Sequence, residues 1–309
     1  MNKAMLDEVA EKLQTNEVCA GMAQLFNGLQ DLRLSNQADV WQKMVETDLR
    51  PHVLAELLQL DPMTHRSFLK PRGYAGDAVL LDMVYGHPAF SKKNVPGLGR
   101  EIYEYIFAGQ AGRAVRYRRH IIADAIDDVA SRKTRPCVMS LACGHLREAE
   151  LSEALQGGHL GRFLALDQDE RSLQIVHHNY SQLGVSAKHI SVRDILKKKI
   201  RSERFDLIYS SGLYDYLPLK TAKVLTRRLF DLLHTEGRLL ITNFLPVIEA
   251  IGYMECFMDW YLIHRDEVEM MALVADIPRN LIKRIELFVE KQENIVFLQI
   301  QKDGSAIRK

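Results

Sequence analysis

The chain has 309 residues, 47% of them hydrophobic and 26% charged, with a formal net charge of +1. That length allows one large domain or two smaller ones around well-buried cores, and the near-zero charge gives no long-range attraction for nucleic acid or an anionic membrane. The four cysteines (Cys19, Cys137, Cys143 and Cys256) are scattered with no CxxC pair, which argues against a disulfide framework or a zinc site and predicts a reducing, cytoplasmic setting.

The first segment, MNKAMLDEVAEKL, is charged and amphipathic, without the apolar core of a signal peptide. No apolar run approaches the roughly 18 residues of a membrane span. LDEVAEKLQ, VWQKMVETDL and HVLAELLQL each place apolar residues at helical spacing. A loop is expected over SFLKPRGYAGDAVLLDMVYGHPAF, followed by a helix from Arg113 to Ser131 and a break at SRKTRP. Residues 1–130 therefore read as a helical domain, a cover for substrate.

Residues 131–309 change pattern. PCVMSLAC, RFLALD, HISVRD, FDLIYSS and GRLLITNF are strand-like, and they alternate with the helical runs HLREAELSEAL, ERSLQIVHHNYSQLG and LKTAKVLTRRLFDLLHT. Such alternation predicts an α/β fold with a mostly parallel sheet covered by helices on both faces. The ending IKRIELFVEKQENIVFLQIQK is two β-rich runs around a polar turn, and it predicts a terminal antiparallel hairpin.

Ligands of such sheets bind beyond the carboxyl ends of the strands. The first strand runs into Ala142-Cys143-Gly144-His145, the second into Asp167 and the third into Asp194-Ile195. Asp167, roughly 20 residues beyond Gly144, suits the ribose hydroxyls. Asp194 and Ile195 form a polar–apolar pair able to flank an adenine ring. A dinucleotide would need a G-x-G-x-x-G turn to admit its pyrophosphate, and Ala142 and Leu146 stand where such glycines would be. A cofactor with no phosphate tolerates this turn, which points to S-adenosylmethionine.

In these segments the sequence resembles the class I S-adenosylmethionine-dependent methyltransferases. LACGHLRE matches their glycine motif, LALDQDERSL their acidic-loop motif and FDLIYSSGLYDYL their fourth motif, with Ser140 where the family often has an acid. The resemblance implies a seven-stranded Rossmann-like sheet and cofactor contacts at Ala142, Gly144, His145, Asp167, Gln168, Asp194, Ile195 and Ser211. LKPRGYAGD, GLYDYL, NFLP and MDWYLIHR further resemble the bacterial 3-hydroxypalmitic acid methyl ester biosynthesis methyltransferases.

The acceptor site is read from three segments. KPRGYAGD is either a surface loop or an arm presenting Arg72 to the cofactor and Tyr74 to the chemistry and the substrate. GLYDYL follows the fourth strand, so Tyr214, Asp215 and Tyr216 could line the substrate cavity. Tyr214 and Asp215 are catalytic candidates, while core packing for Tyr216 and capping of the next helix for Asp215 stand equally open. Trp260, Tyr261 and Arg265, after the fifth strand, are candidates for a substrate cover, and Arg118 for an anion contact. His145 is a minority candidate for a base. No metal-ligand spacing occurs. The acceptor is a small molecule, with a carboxylate suited to the arginines. Two other readings stay open: a nucleic-acid or protein methyltransferase, though SSGLYDYL replaces the Asn/Asp-Pro-Pro-Tyr signature, and a non-catalytic binding protein on the same scaffold. Apolar faces of the N-terminal helices allow a homodimer.

Overall fold

The computed structural model describes residues 2–200 and 203–304. These fall into two compact units, Met1–Arg116 with Val247–Tyr261, and Tyr117–Pro246 with Leu262–Lys309. The division falls earlier than residue 130, inside the helix Gln110–Arg132, and residues 247–261 group with the first unit.

The first unit is helical. Leu6, Val9 and Leu13 repeat at helical spacing along Asn2–Gln14, and Met22, Leu25 and Leu29 do so along Val18–Ser35, so each helix buries one stripe. The helix Ile251–Phe257 packs against Val18–Ser35 at Gly252, where a Cβ would fall 2.8 Å from the Leu29 carbonyl. Glu255 of that helix is buried. It accepts from the Trp41 indole at 2.6 Å and from Arg33 Nε at 2.7 Å. VWQKMVETDL forms a helix only to Met44 and then a π turn, Val45–Leu49. The expected 67–90 loop contains a helix, Ala78–Tyr85, because Asp77 caps it through the amides of Val79 and Leu80.

The second unit is a seven-stranded sheet: β1 Cys137–Leu141, β2 Arg162–Asp167, β3 Val185–His189, β4 Phe205–Ser210, β5 Leu233–Phe244, β6 Ile282–Val289 and β7 Ile295–Lys302. Its order is β3-β2-β1-β4-β5-β7-β6. The first five strands are parallel, and β7 runs antiparallel to both β5 and β6. The central strands β1, β2 and β4 are almost wholly buried, as their mostly apolar runs require of a sheet covered on both faces. Val138, Met139 and Ser140 pair with Leu207, Ile208 and Tyr209, and Met139 also pairs with Leu164. The terminal hairpin is present, its turn held by the Glu290 carboxylate accepting the Asn294 amide at 2.8 Å.

Two elements differ from expectation. The third strand is VSAKH rather than HISVRD, because Ser191 and Asp194 form a capping box that starts the helix Val192–Leu196. HLREAELSEAL is no single helix. It makes a 3-10 turn, Arg147–Glu150, and a short helix, Glu153–Gln156, capped by Ser152. The basic run KKKIR ends at Arg201, which lies outside the described residues. Among the described residues no helix is long and apolar enough to cross a membrane.

Candidate cofactor and acceptor site

β1 has β2 on one side and β4 on the other, so the chain leaves it in opposite directions and a crevice opens at the carboxyl ends of β1 and β4. The turn after β1 carries three left-handed residues in five positions: Ala142 (φ 57°), Gly144 (φ 53°) and Leu146 (φ 53°). For the two with side chains this conformation costs about 1–2 kcal/mol each, so the surroundings must impose it. They do so through the backbone amides. Cys143 N–H bonds the Leu166 carbonyl at 3.0 Å, and Leu146 N–H bonds the Cys143 carbonyl at 2.9 Å. Gly144 N–H bonds Asp167 Oδ2 at 2.8 Å.

Asp167, at the end of β2, is buried. Its other oxygen accepts from Asp169 N–H at 2.9 Å. Burial pushes its carboxyl pKa up, and the amides of Asp169 and Gly144 oppose that shift. Beside it the Cys143 thiol is driven well above its ordinary range, by burial first and then by the charges of Asp167 and Glu148. Gln168 is exposed, and His145 is buried next to the turn.

Glu148 and Tyr209 also belong here, and neither was expected from the sequence. Tyr209, the strand neighbour of Ser140, donates its hydroxyl to buried Glu148 Oε1 at 2.6 Å. Burial raises the Glu148 pKa, while the Tyr209 bond and the charges of Arg118 and Arg119 lower it. The available signals were a carboxylate just past the glycine turn and a tyrosine inside an otherwise apolar strand.

After β4, whose last hydroxyl, Ser210 Oγ, donates to the Leu141 carbonyl at 2.9 Å, Ser211 and Gly212 (φ 91°) are half-buried. The sequence favours Tyr214 for the substrate cavity and leaves Tyr216 open between cavity and core; the structure buries Tyr214 and exposes Tyr216. The 3-10 turn Tyr214–Tyr216 points Tyr214 into the sheet–helix core at 0% exposure, its hydroxyl 3.0 Å from Thr226 Oγ1, while Tyr216 is exposed. Asp215 is likewise committed to structure. It is buried, accepts the Phe244 amide at 2.7 Å, and has its pKa raised by burial against the pull of that bond and of Arg118 and Arg265.

Arg265 is committed to structure as well. Its guanidinium, 2% exposed as a residue, donates to the Tyr214 carbonyl and Asn243 Oδ1, both at 2.7 Å, and to the Leu217 carbonyl. It clamps the turn from below because three acceptors converge on one planar fork.

The adenine pair also changes. Ile195 is 0% exposed within the main core, leaving no surface to stack on a ring, because the helix Val192–Leu196 turns it inward. Asp194 accepts from Ser191 Oγ at 2.8 Å and pairs with Lys199 at 2.7 Å, and these partners hold its carboxyl well below the usual range.

Arg118 differs from all of these. It is 3% exposed, and among the described residues no hydrogen bond or ion pair engages its guanidinium. A Cβ on Gly212 would lie 3.7 Å from both its Nη1 and its Nη2.

The remaining candidates lie in the helical unit. Arg72 and Tyr74 are half-buried in the 70–77 loop, which is anchored where Lys70 and Arg50 (2.6 Å) both pair with Asp259 and where Arg66 grips Asp77 through two bonds of 2.7 and 2.8 Å. Trp260 and exposed Tyr261 follow the helix Ile251–Phe257 instead of extending it. Among the described residues no group of acidic, histidine or cysteine side chains is arranged to hold a metal.

Comparison with protein families and with curated proteins finds no match. Solved structures do match. A possible exported protein from Bordetella parapertussis is similar over 87% of this chain and 98% of its own, with a TM-score of 0.65 and 15% identity, a likeness of fold. The N-methyltransferase NodS from Bradyrhizobium japonicum WM9 is similar over 60% of this chain and 96% of its own, with a TM-score of 0.44 and 14% identity. Magnesium protoporphyrin IX methyltransferase ChlM from Synechocystis PCC 6803, with bound S-adenosylhomocysteine, covers 62% of this chain and 87% of its own, with a TM-score of 0.47 and 12% identity. The strand order with a reversed β7 is the sheet that the resemblance to class I methyltransferases implies.

Proposed function

We propose that this protein transfers a methyl group from S-adenosylmethionine to a small, carboxylate-bearing molecule. One observation carries the cofactor. The amides of Cys143, Gly144 and Leu146 are all donated within the protein, so these three N–H groups of the turn at the switch point are not offered to a pyrophosphate. A nucleoside ligand without phosphates fits such a turn. Asp167 would hold the ribose hydroxyls through its remaining lone pairs, with Gly144 and Ala142 leaving room above the turn and Gln168 and Ser211 at its margins.

When bound, that cofactor supplies an electrophilic methyl group on a sulfonium centre. The protein's share is to orient the acceptor and exclude water. The buried acids next to the turn are poor candidates for a base, since Glu148 is bonded to Tyr209 and Asp215 to the Phe244 amide. An acceptor that attacks without first losing a proton suits this arrangement, and a carboxylate is one. The likeness of KPRGYAGD and GLYDYL to the 3-hydroxypalmitic acid methyl ester group favours O-methylation of an acid over N- or S-methylation of an amino-acid-like metabolite. Arg72 and Tyr74 are proposed to bear on acceptor choice, and Trp260 and Tyr261 with them.

The test is incubation with methyl-labelled cofactor and fractionated cell acids. Base-labile label in an ester is expected. Absence of S-adenosylhomocysteine binding by calorimetry would remove the reading. A cytoplasmic homodimer is proposed with it, and sedimentation checks the stoichiometry.

A further inference from the structure

We propose that Arg118 is an anchor for the carboxylate of a ligand seated at the carboxyl end of β4. The inference rests on the reading that this end of the sheet is the ligand site, and it adds the residue that recognises the ligand's charge.

A guanidinium brings five N–H donors and a charge that no accessible pH removes. Leaving it dry and unbonded is strongly unfavourable. Arg118 is 3% exposed, yet no hydrogen bond or ion pair engages it among the described residues. Four other buried polar groups around the turn are engaged: Asp167 holds two amides, Glu148 the Tyr209 hydroxyl, Asp215 an amide, and Arg265 three acceptors.

The nearest acids reach it through charge alone. Arg118 lowers the pKa of both Glu148 and Asp215, but burial is the larger influence on each and pushes them toward the neutral form. Among the described residues neither acid accepts a hydrogen bond from the guanidinium.

Its direction is set by Gly212. A Cβ there would be equally far, 3.7 Å, from Nη1 and Nη2, so the two-nitrogen edge of the fork faces the Ser211–Leu213 loop. Gly212 holds φ 91°, a conformation that excludes most side chains, so this position sets no side chain against that edge. Two parallel donors match the two oxygens of a carboxylate. Whatever charge Glu148 and Asp215 retain acts more strongly against a phosphate dianion than against a monoanion, which favours the carboxylate.

That carboxylate belongs either to the amino-acid end of the cofactor or to the methyl acceptor. Protein labelled with guanidino-15N arginine separates the sources, with the Arg118 signal assigned by its loss in Arg118→Lys. If the cofactor is the source, S-adenosylhomocysteine shifts that signal and methylthioadenosine, which lacks the amino-acid end, does not. Arg118→Met then loses tenfold to about a hundredfold in affinity for the former and none for the latter. If the acceptor is the source, butyrate shifts the signal in the presence of S-adenosylhomocysteine, and cofactor affinity is unchanged in Arg118→Met.

A signal that moves with neither ligand, while calorimetry shows S-adenosylhomocysteine bound, overturns the anchor and leaves the methyltransferase reading standing. A butyrate shift with no binding of either nucleoside does the reverse.

Discussion

Asp167 Oδ2 and the Gly144 amide are joined by a 2.8 Å hydrogen bond that ties the end of β2 to the left-handed turn after β1. The same carboxylate that is proposed to bind ribose therefore also shapes the loop beneath it. Asp167→Asn keeps one acceptor oxygen, whereas Asp167→Ala leaves the amides of Gly144 and Asp169 unpaired. Calorimetry should show S-adenosylhomocysteine affinity falling at least tenfold in both variants. Denaturation should show a stability loss of about 1–3 kcal/mol chiefly in the alanine variant. Wild-type affinity in Asp167→Ala would remove Asp167 from the site.

Strain in that turn is testable separately. Ala142 sits at φ 57°, where glycine incurs no steric penalty. Ala142→Gly should raise unfolding free energy in urea by up to about 1 kcal/mol, the relief being partly offset by the entropy glycine gains when unfolded. A clear loss of stability would mean that the Ala142 methyl group makes packing contacts worth more than the strain.

The parts of the fold that could be read from the sequence are those fixed locally. β1, β2 and β4 are mostly apolar runs ended by small or polar residues, and the hairpin announces itself by two β-rich runs around KQEN. The shift of the third strand was partly legible as well, since Ser191 with Asp194 three residues later is a helix-start signature. Tyr214 and Tyr216 stand two apart, and only the 3-10 path of the turn decides which faces the core. Arg265 takes its acceptors from residues 22 to 51 positions away, and no local pattern carries that information. The solitary burial of Arg118 is equally non-local: on its helix it reads as one member of a basic face.

The burial of Tyr214 has a direct kinetic consequence. Among the described residues its hydroxyl bonds Thr226 in the core, so Tyr214→Phe should lose about 1 kcal/mol of stability and keep kcat for methyl transfer within about twofold. A thousandfold fall in kcat with an intact fold would restore Tyr214 to the chemistry.

Arg265 should behave as a clamp. Arg265→Lys replaces a planar fork by a point donor that cannot reach three converging acceptors. The expected loss is about 1–3 kcal/mol in urea unfolding. KM for an acid acceptor should change less than kcat, because the turn carrying Tyr214 and Leu217 loosens while no substrate contact is removed. A large rise in KM at unchanged stability would contradict the clamp.

Asp61 links the stability of the helical unit to pH. It caps the helix Pro62–Leu69 through the Thr64 amide at 2.7 Å, is 0% exposed, and its Oδ1 has no partner among the described residues. Burial raises its pKa from 3.8 to about 6, against the bonds from Thr64 and Met63. Between those two values the folded protein holds a proton that the unfolded chain has released, so stability falls as pH rises through this window. A shift of that size corresponds to about 3 kcal/mol. Asp61→Asn can still cap the helix and cannot titrate. Urea unfolding across pH 4 to 7 should therefore show wild type losing about that amount relative to the variant as pH increases, with the difference flat above pH 7. A difference independent of pH would show that Asp61 keeps its ordinary acidity in the fold.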